Sequence, residues 1–368
     1  MVGNWKSDVG YAWWLMESFW ATLAGEFSGK YHVMLTYPEV NTVPDEIREA
    51  PIEVLEYDLR TTSPLKVIRV LQLLCRENIK VLYLSDWPAV HWKYPLFHMA
   101  GVRKIIVHDH TPGMRIPPAP MKQWLKSRLT RSLFAADAMI AVSDFVRKRH
   151  IEVNCFPPEK CYTASNGIRF FDATAPPDVH AQFGIPANRQ VMVMTGRANR
   201  YKGVDFVLRC MAVVVNDRRR QDLHFLFCGD GPDLGYFRCL TGELGITDYV
   251  SLPGRCDDIP AILAACDFAI HASRGEVGYS LSILEYMYAG LPVLVPSNPS
   301  VSGATTERTN GMIYEENSID SAAEKIEFLL DSPDEMNRMG KNARNTVISE
   351  YSLENTHRQL LESINNIL

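Results

Sequence analysis

The sequence predicts an α/β protein built from two doubly wound domains in series. Its 368 residues exceed what one hydrophobic core usually supports. Short apolar, β-branched runs alternate with helix-period segments along almost the whole chain, which favours parallel sheets covered by helices. The alternation pauses once, in a Pro-rich stretch at 171–178. We therefore expect domains at 1–172 and 173–350, with a C-terminal helix at 351–368 that packs back on the first domain.

Composition and charge narrow the class of protein. Hydrophobic residues make up 46% and charged residues 22%, which excludes a disordered chain, a collagen and a small disulfide scaffold. The net charge of −5 argues against a nucleic-acid partner. The eight cysteines lack both CxxC and zinc-site spacing, so we expect free thiols, no metal site and a cytoplasmic location. No apolar run is long enough to predict a membrane span.

The first predicted domain contains six strand candidates and three clear helices after its N-terminal segment. Only Met1–Trp5 precedes a Trp-rich helix, so either the first strand is very short or the chain starts late. The apolar runs between turn residues predict strands at 31–37, 52–57, 79–85, 103–108, 137–142 and 160–164. Apolar residues spaced three and four apart predict helices at 64–76, 121–134 and 144–153.

The second predicted domain repeats the same alternation. Its strands are predicted at 190–195, 224–228, 249–252, 267–272, 292–295 and 311–314. Its helices are predicted at 204–215, 260–265, 282–289, 318–330, 333–350 and 353–367. Doubly wound sheets bind ligands at the carboxyl ends of their strands, and we expect the active site in the cleft between the two domains.

A basic loop follows the strand predicted at 190–195. The chain turns through Gly196 and enters a helix near Gly203, with Arg197 and Lys202 on either side of the turn. Two cations beside a helix N-terminus suit a diphosphate, because they neutralise its charge while backbone N–H groups donate to it. A solvated basic loop is the alternative interpretation.

A second loop with two carboxylates follows the strand predicted at 267–272. Glu276 lies on this loop, and Glu285 lies in the helix after it, next to Leu284. Carboxylates accept hydrogen bonds from sugar or ribose hydroxyls. Glu285 stands inside a largely apolar helix, which favours a buried polar role over simple solvation.

Several motifs occur in the order found in one enzyme family. They are Gly196-Arg197 with Lys202-Gly203, the run 228–232, Leu252-Pro-Gly254, and Glu276 and Glu285 with the run 289–293. The first half adds the runs 141–144 and 165–168. Together they resemble the GT-B glycosyltransferases of the retaining family GT4, the group 1 glycosyl transferases, over roughly residues 100–350. The resemblance implies two Rossmann-like domains that face each other across a cleft.

The resemblance also implies roles on the donor side. Arg197 and Lys202 would bind the donor diphosphate, Glu285 the nucleotide ribose, and Glu276 the transferred sugar. The backbone of the loop would face the phosphates and sugar at Gly278, Tyr279, Ser280 and Leu281, and the donor set is completed by Gly196, Gly254 and Arg255. One departure is that eight residues separate Glu276 from Glu285, where the family usually has seven.

On the acceptor side, the resemblance singles out a histidine pair. His108 and His110 lie at the end of the strand predicted at 103–108, and two residues apart on a strand they project to one face. Either would stabilise the sugar or orient the acceptor; two surface histidines are the alternative. Gly10, Tyr11 and Trp14 stand where the family has its N-terminal glycine loop, and the tryptophans there either line an acceptor site or add core packing.

A basic amphipathic helix at 121–134 carries Lys122, Lys126, Arg128 and Arg131. Such a helix either docks peripherally on an anionic membrane at the inner face or is an ordinary solvated helix.

The function that the resemblance implies, together with these features, is a retaining, metal-independent glycosyltransferase without a cofactor. It would move a hexose-type sugar from a nucleotide diphosphate, with UDP favoured and GDP-mannose next. The acceptor would be a hydroxyl of a saccharide, a lipid-linked molecule or a small molecule. The alternatives are a GT-B sugar-nucleotide epimerase or hydrolase, a phosphorylase with a pyridoxal lysine, and a non-catalytic nucleotide-sugar-binding protein.

Overall fold

A computed structural model describes residues 1–8, 14–172 and 176–368. The chain divides into two compact units. The first unit comprises Met1–Thr111, Arg115–Ser165 and Thr356–Leu368, and the second comprises Pro112–Met114 and Asn166–Asn355. The division therefore falls between Ser165 and Asn166, whereas the boundary predicted from the sequence is at residue 172. The predicted residues Gly10 and Tyr11 lie outside the described part of the chain.

The first unit contains parallel strands and helices in alternation. Its strands are β1 (Met34–Tyr37), β2 (Glu53–Glu56), β3 (Val81–Ser85), β4 (Lys104–Asp109), β5 (Ala138–Ala141) and β6 (Cys161–Thr163). Its helices are α1 (Trp14–Phe27), α2 (Asp45–Glu49), α3 (Pro64–Arg76), α4 (Tyr94–Met99), α5 (Pro120–Leu129) and α6 (Asp144–Glu152).

The strands of the first unit pair in parallel in the orders β2-β1 and β3-β4-β5-β6. Val2 forms parallel bridges to Thr36 on β1 and to Leu84 on β3, and so links the two groups of strands. Because the strands are parallel, the carboxyl end of β4, which carries His108, lies at the same edge as those of β3 and β5.

The second unit repeats the alternation with six strands. They are β7 (Gln190–Thr195), β8 (Leu223–Cys228), β9 (Val250–Gly254), β10 (Phe268–Ile270), β11 (Val293–Pro296) and β12 (Gly311–Tyr314). The helices are α7 (Val179–Phe183), α8 (Val204–Ala212), α9 (Leu234–Glu243), α10 (Ile259–Ala264), α11 (Leu281–Tyr288), α12 (Ile319–Asp331) and α13 (Pro333–Glu350). The last helix, α14 (Leu353–Ile367), begins in the second unit and continues in the first.

The sheet of the second unit is parallel throughout, in the order β12-β11-β10-β7-β8-β9. Both of its faces are covered. On β7, Met192 and Met194 belong to one buried cluster, while Val191 and Val193 belong to the other. Burial on both faces explains why Val191 to Met194 form a continuous apolar run instead of an alternation of apolar and polar residues.

The structure differs from the sequence-based prediction in several helices: the short helices α2, α4 and α7 and the longer α9 have no counterpart in the prediction, and the helix at 121–134 is shorter than predicted. The predicted helix at 121–134 ends at Leu129, because the Thr130 hydroxyl donates to the carbonyl of Cys155 at 2.7 Å and the chain turns inward. Helix α9 was absent from the prediction. It buries Leu234, Phe237 and Leu240, but its two glycines lower its apparent helix propensity.

None of the helices in the described ranges combines the length and the apolar character needed to cross a lipid bilayer.

Candidate active site

The loops that follow β7 and β10 form a single structure, because these two strands are neighbours in the sheet. The N–H of Arg274 donates to the carbonyl of Tyr201 at 3.0 Å. Gly203 lies directly against Ala272, and a Cβ at Gly203 would overlap the Ala272 carbonyl oxygen. Gly203 has φ of +75° and precedes the first residue of α8. Two segments far apart in sequence are therefore held side by side at one helix N-terminus.

Lys202 and Glu276 meet at this junction. Lys202 Nζ donates to Glu276 Oε1 at 2.6 Å, and both side chains are partly buried. His271, at the end of β10, places its Nε2 3.2 Å from the same carboxylate oxygen and is almost completely buried. The sequence analysis missed His271; its signal was a histidine at a strand end, five residues before the loop glutamate. Glu276 thus points at the predicted diphosphate-binding lysine despite the unusual spacing.

The charge state of Glu276 follows from these neighbours. Burial raises the pKa of a carboxyl group, but the hydrogen bond from His271 and the positive charge of Lys202 outweigh it and lower the pKa of Glu276 to about 2. Burial lowers the pKa of His271, so this ring is neutral at pH 7 and donates its Nε2 proton to the carboxylate. The junction therefore holds one carboxylate and one ammonium group. A hydroxyl group of the donor can replace Lys202 as a partner of Glu276, and a phosphate can replace Glu276 as a partner of Lys202.

The loop between β10 and α11 presents a helix N-terminus. Among the described residues, the N–H groups of Ser280, Leu281 and Ser282 have no hydrogen-bond partner, and Ser280 gives no side-chain cap. The N–H of Gly278 donates to the carbonyl of Ser300 at 2.8 Å, so it does not belong to this set of free N–H groups. The free N–H groups and the positive end of the helix dipole are suited to an anion.

Glu285 lies one turn into α11 and is only partly exposed. No described residue forms a hydrogen bond or an ion pair with its carboxylate. Burial without a partner raises its pKa to about 7. The next residue fixes the helix: the Thr195 N–H donates to Tyr286 Oη at 2.6 Å, which ties α11 to the end of β7. An unpaired, desolvated carboxyl group on a fixed helix is a ready acceptor for hydroxyl groups.

The remaining predicted donor residues lie on the surrounding loops. Gly196 follows β7 with φ of +147°, and Arg197 after it is exposed, with no side-chain partner among the described residues. Gly254 ends β9 and is buried with φ of +91°, whereas the Arg255 side chain is 85% exposed. The structure thus joins Lys202 to Glu276 directly and leaves Arg197 and Arg255 as exposed cations at the strand ends.

The histidine pair lies in the first unit. The rings of His108 and His110 are 4.2 Å apart between centroids, and Phe19 of α1 packs on both. His108 is fully buried, and a hydrogen bond joins its Nδ1 to Tyr83 Oη; burial, reinforced by His110, lowers its pKa well below the usual value. Among the described residues, neither ring nitrogen of His110 has a hydrogen-bond partner, although both are buried and Nδ1 lies 3.6 Å from Asp86 Oδ1. Such unpartnered nitrogens can orient a ligand hydroxyl.

A buried ion cluster behind this pair escaped the sequence analysis. Asp109 accepts hydrogen bonds from Arg149 Nη2 at 3.0 Å and from the Thr111 N–H at 2.9 Å, and His150 Nε2 lies 3.2 Å from it. Burial alone would raise the Asp109 pKa, but His150 and Arg149 lower it. The cluster fixes the chain immediately after His110. In the described ranges, no group of three His, Cys, Asp or Glu side chains has the geometry of a metal site.

Comparison with known proteins agrees with the function that the geometry of the site indicates. The sequence matches the family described as Glycosyl transferases group 1 over residues 177–346, and Glycosyltransferase Family 4 over residues 16–170. The two matches together cover most of the chain and correspond closely to its two units.

Individual relatives are distant but span much of the chain. An alpha-D-kanosaminyltransferase of Streptomyces kanamyceticus is 26% identical over 248 residues, which are 66% of this chain and 62% of that protein. A GDP-mannose-dependent alpha-(1-6)-phosphatidylinositol monomannoside mannosyltransferase of Mycobacterium tuberculosis is 24% identical, with 89% of each chain covered. The crystal structure of Anabaena HepE in complex with UDP-glucose superposes with a TM-score of 0.72 at 18% identity, covering 99% of this chain and 98% of that one. The fold predicted from the sequence, two Rossmann-like domains of the GT-B type, is thereby confirmed.

Proposed function

The chain belongs to the GT4-type glycosyltransferases, and on that premise we propose that it moves a hexose-type sugar from a nucleotide diphosphate to a hydroxyl acceptor with retention of configuration. The observation that carries this proposal is the junction of Lys202, Glu276 and the α11 N-terminus. It offers an ammonium group, a carboxylate and free N–H groups within one set of loops. A sugar diphosphate needs these three kinds of group.

The difficult step of the reaction is departure of the nucleotide diphosphate, because negative charge grows on its leaving oxygen. Lys202, Arg197 and the α11 N-terminus would stabilise that charge as it develops, in a site whose groups are already oriented. Glu276 would exchange part of its interaction with Lys202 for hydrogen bonds from the sugar hydroxyls. Glu285 would accept hydrogen bonds from the ribose hydroxyls.

The configuration of the anomeric carbon is retained if the acceptor attacks this carbon from the face from which the diphosphate departs. The bond between the anomeric carbon and the diphosphate oxygen breaks, and the acceptor oxygen bonds to the same face. The acceptor proton passes to the departing phosphate oxygen, so no metal or further cofactor enters the reaction. We assign His108 and His110 to orientation of the sugar or acceptor.

We favour a UDP-sugar donor and keep GDP-mannose as the second candidate. The likeness to the Anabaena HepE complex supports UDP, and the mycobacterial relative supports GDP-mannose. The proposal also includes a cytoplasmic enzyme with peripheral membrane contact.

The proposal is tested by nucleotide release from UDP-glucose and GDP-mannose in the presence of a panel of hydroxyl acceptors. Lys202→Ala should lower turnover at least ~100-fold, because it removes charge stabilisation in the transition state. Lys341→Ala is the matched control, since Lys341 is an exposed lysine on α13 of the same unit. Near-normal turnover in folded Lys202→Ala would contradict the site. Donor binding without turnover of any acceptor would favour a non-catalytic nucleotide-sugar-binding protein.

A further inference from the structure

The segment 115–134 of the first unit, here called the α5 segment, exposes large apolar side chains at an unusual density. It includes α5 and the turns on either side. Seven of the sixteen exposed large hydrophobic residues of the described chain lie within these twenty positions. They are Ile116, Met121, Trp124, Leu125, Leu129, Leu133 and Phe134. No residue of α5 itself is buried. Apolar patches of this kind mark interaction surfaces.

Helix α5 is oriented with its polar side toward the protein. Lys126 Nζ donates to the carbonyl of Val153 at 3.0 Å, and Thr130, just after the helix, donates to the carbonyl of Cys155 at 2.7 Å. At ~100° per residue, Met121, Trp124, Leu125 and Leu129 fall within an arc of about 140° on the side opposite Thr130. A surface helix of a globular protein normally buries its apolar side. Helix α5 instead has its polar side against the protein and its apolar side exposed.

The charge of the α5 segment has one sign. Its five charged side chains are all cations, Arg115, Lys122, Lys126, Arg128 and Arg131, and no Asp or Glu occurs from residue 110 to residue 136. Arg128 lies within the apolar arc, and its guanidinium stacks 5.1 Å over the Trp124 ring. A tryptophan with its flanking cations beside exposed aliphatic side chains is the composition of an interfacial membrane helix.

We infer that the α5 segment docks on an anionic lipid bilayer. The apolar arc of α5 enters the boundary between headgroups and acyl chains, and the cations bind lipid phosphates. The uniform positive charge favours this occupant over a second copy of the chain, because two copies of the segment would repel each other. The inference deepens the peripheral membrane contact included in the proposed function, and it is argued from the surface of the first unit without use of the donor site.

The test is flotation of the full-length protein with vesicles of equal parts phosphatidylglycerol and phosphatidylcholine, compared with vesicles of phosphatidylcholine alone. The protein should float with the anionic vesicles and dissociate at high salt. Lys122→Glu/Arg128→Glu should weaken binding ~30-fold or more, from loss of about 1 kcal/mol per cation. Trp124→Ser/Leu125→Ser should weaken it at least ~10-fold by removing apolar insertion. Lys126 stays unchanged, because it anchors the helix.

Helix α3 offers matched controls on the same unit. Leu65 and Ile68 are 74% and 50% exposed, and Lys66 and Arg69 beside them are exposed cations. Leu65→Ser/Ile68→Ser and Lys66→Glu/Arg69→Glu should bind vesicles like the wild type. Equal loss in the α3 and α5 variants, or absence of wild-type binding to anionic vesicles, would overturn the inference. So would a wild-type dimer in analytical ultracentrifugation that Trp124→Ser/Leu125→Ser converts to a monomer without any vesicle binding. Lipid binding is measured without turnover, so its failure is distinct from failure of the proposed reaction.

Discussion

At the scale of single residues, the Glu285 carboxyl group lacks the hydrogen-bond donors that a bound ligand would supply. Its carboxyl group is partly buried, has no partner among the described residues, and has a pKa raised to about 7 by desolvation. A nucleotide ribose would donate hydroxyl hydrogen bonds to the charged form and so lower this pKa. Ligand binding and proton release are therefore coupled at this position.

This coupling gives a pH prediction with a defined sign. Near pH 7 about half of the free protein carries the Glu285 proton, so binding of UDP should release up to about half a proton. Affinity should rise as the pH rises through about 7 and then level off. Calorimetry in buffers of different ionisation enthalpy measures the released proton.

Two glutamine variants separate the Glu285 effect from titration elsewhere. Glu285→Gln should abolish the buffer dependence, whereas Glu324→Gln, at an exposed glutamate of α12, should retain it. A wild-type enthalpy that does not depend on the buffer would contradict the ribose assignment, as would unchanged proton release in Glu285→Gln.

The residue scale also shows where sequence reasoning ends. Lys202 and Glu276 could be selected because their types and motif positions suit a sugar diphosphate, and the structure places them 2.6 Å apart. His271 could not be selected by residue type, since a histidine in an apolar run is usually a core residue. The available signal was its position at a strand end, five residues before Glu276, with which it forms a contact within the same loop.

At the scale of elements, the donor site depends on two loops that touch through glycine. Gly203 combines φ of +75° with direct packing on the Ala272 carbonyl, so its lack of a side chain serves both the turn and the close approach. Any Cβ there must push the β10 loop away from Lys202. The geometry of the site is therefore sensitive to a position that has no side chain of its own.

Gly203→Ala should lower both stability and donor binding. The positive φ alone costs about 1–2 kcal/mol, and the overlap with Ala272 adds a further cost. Gly245→Ala is the matched control, because Gly245 has φ of +66° but an alanine Cβ there would meet no atom within 4 Å. Urea unfolding followed by UDP calorimetry measures both effects. Equal stability losses in the two variants, with normal UDP affinity, would contradict the account of the loop junction.

Elements differ in how far the sequence predicts them. The run that forms β7 is apolar from Val191 to Met194, since both sides of the strand are buried, and its limits match the prediction at 190–195. Helix α9 was missed because Gly235 and Gly242 weaken its propensity, and tertiary packing of Phe237 compensates. Helix α5 was predicted too long, because its end is set by a hydrogen bond to a residue 25 positions away.

At the scale of the whole molecule, the chain distributes its chemistry over two units. The second unit carries the cations, carboxylates and helix N-terminus expected of a donor site, and the first carries the histidine pair and the α5 segment. The sequence predicted the class of both units from strand and helix alternation. The strand order could not be read in this way, because it depends on which βα units pack together.

The central claim is that the loops after β7 and β10, with the N-terminus of α11, bind a nucleotide diphosphate. The most direct measurement is a crystal structure of the protein with UDP. We expect pyrophosphate oxygens about 3 Å from Lys202 Nζ or the Arg197 guanidinium and from the N–H groups of Leu281 and Ser282, with the ribose on Glu285. A pyrophosphate bound away from these loops, with Lys202 still paired to Glu276, would contradict the account.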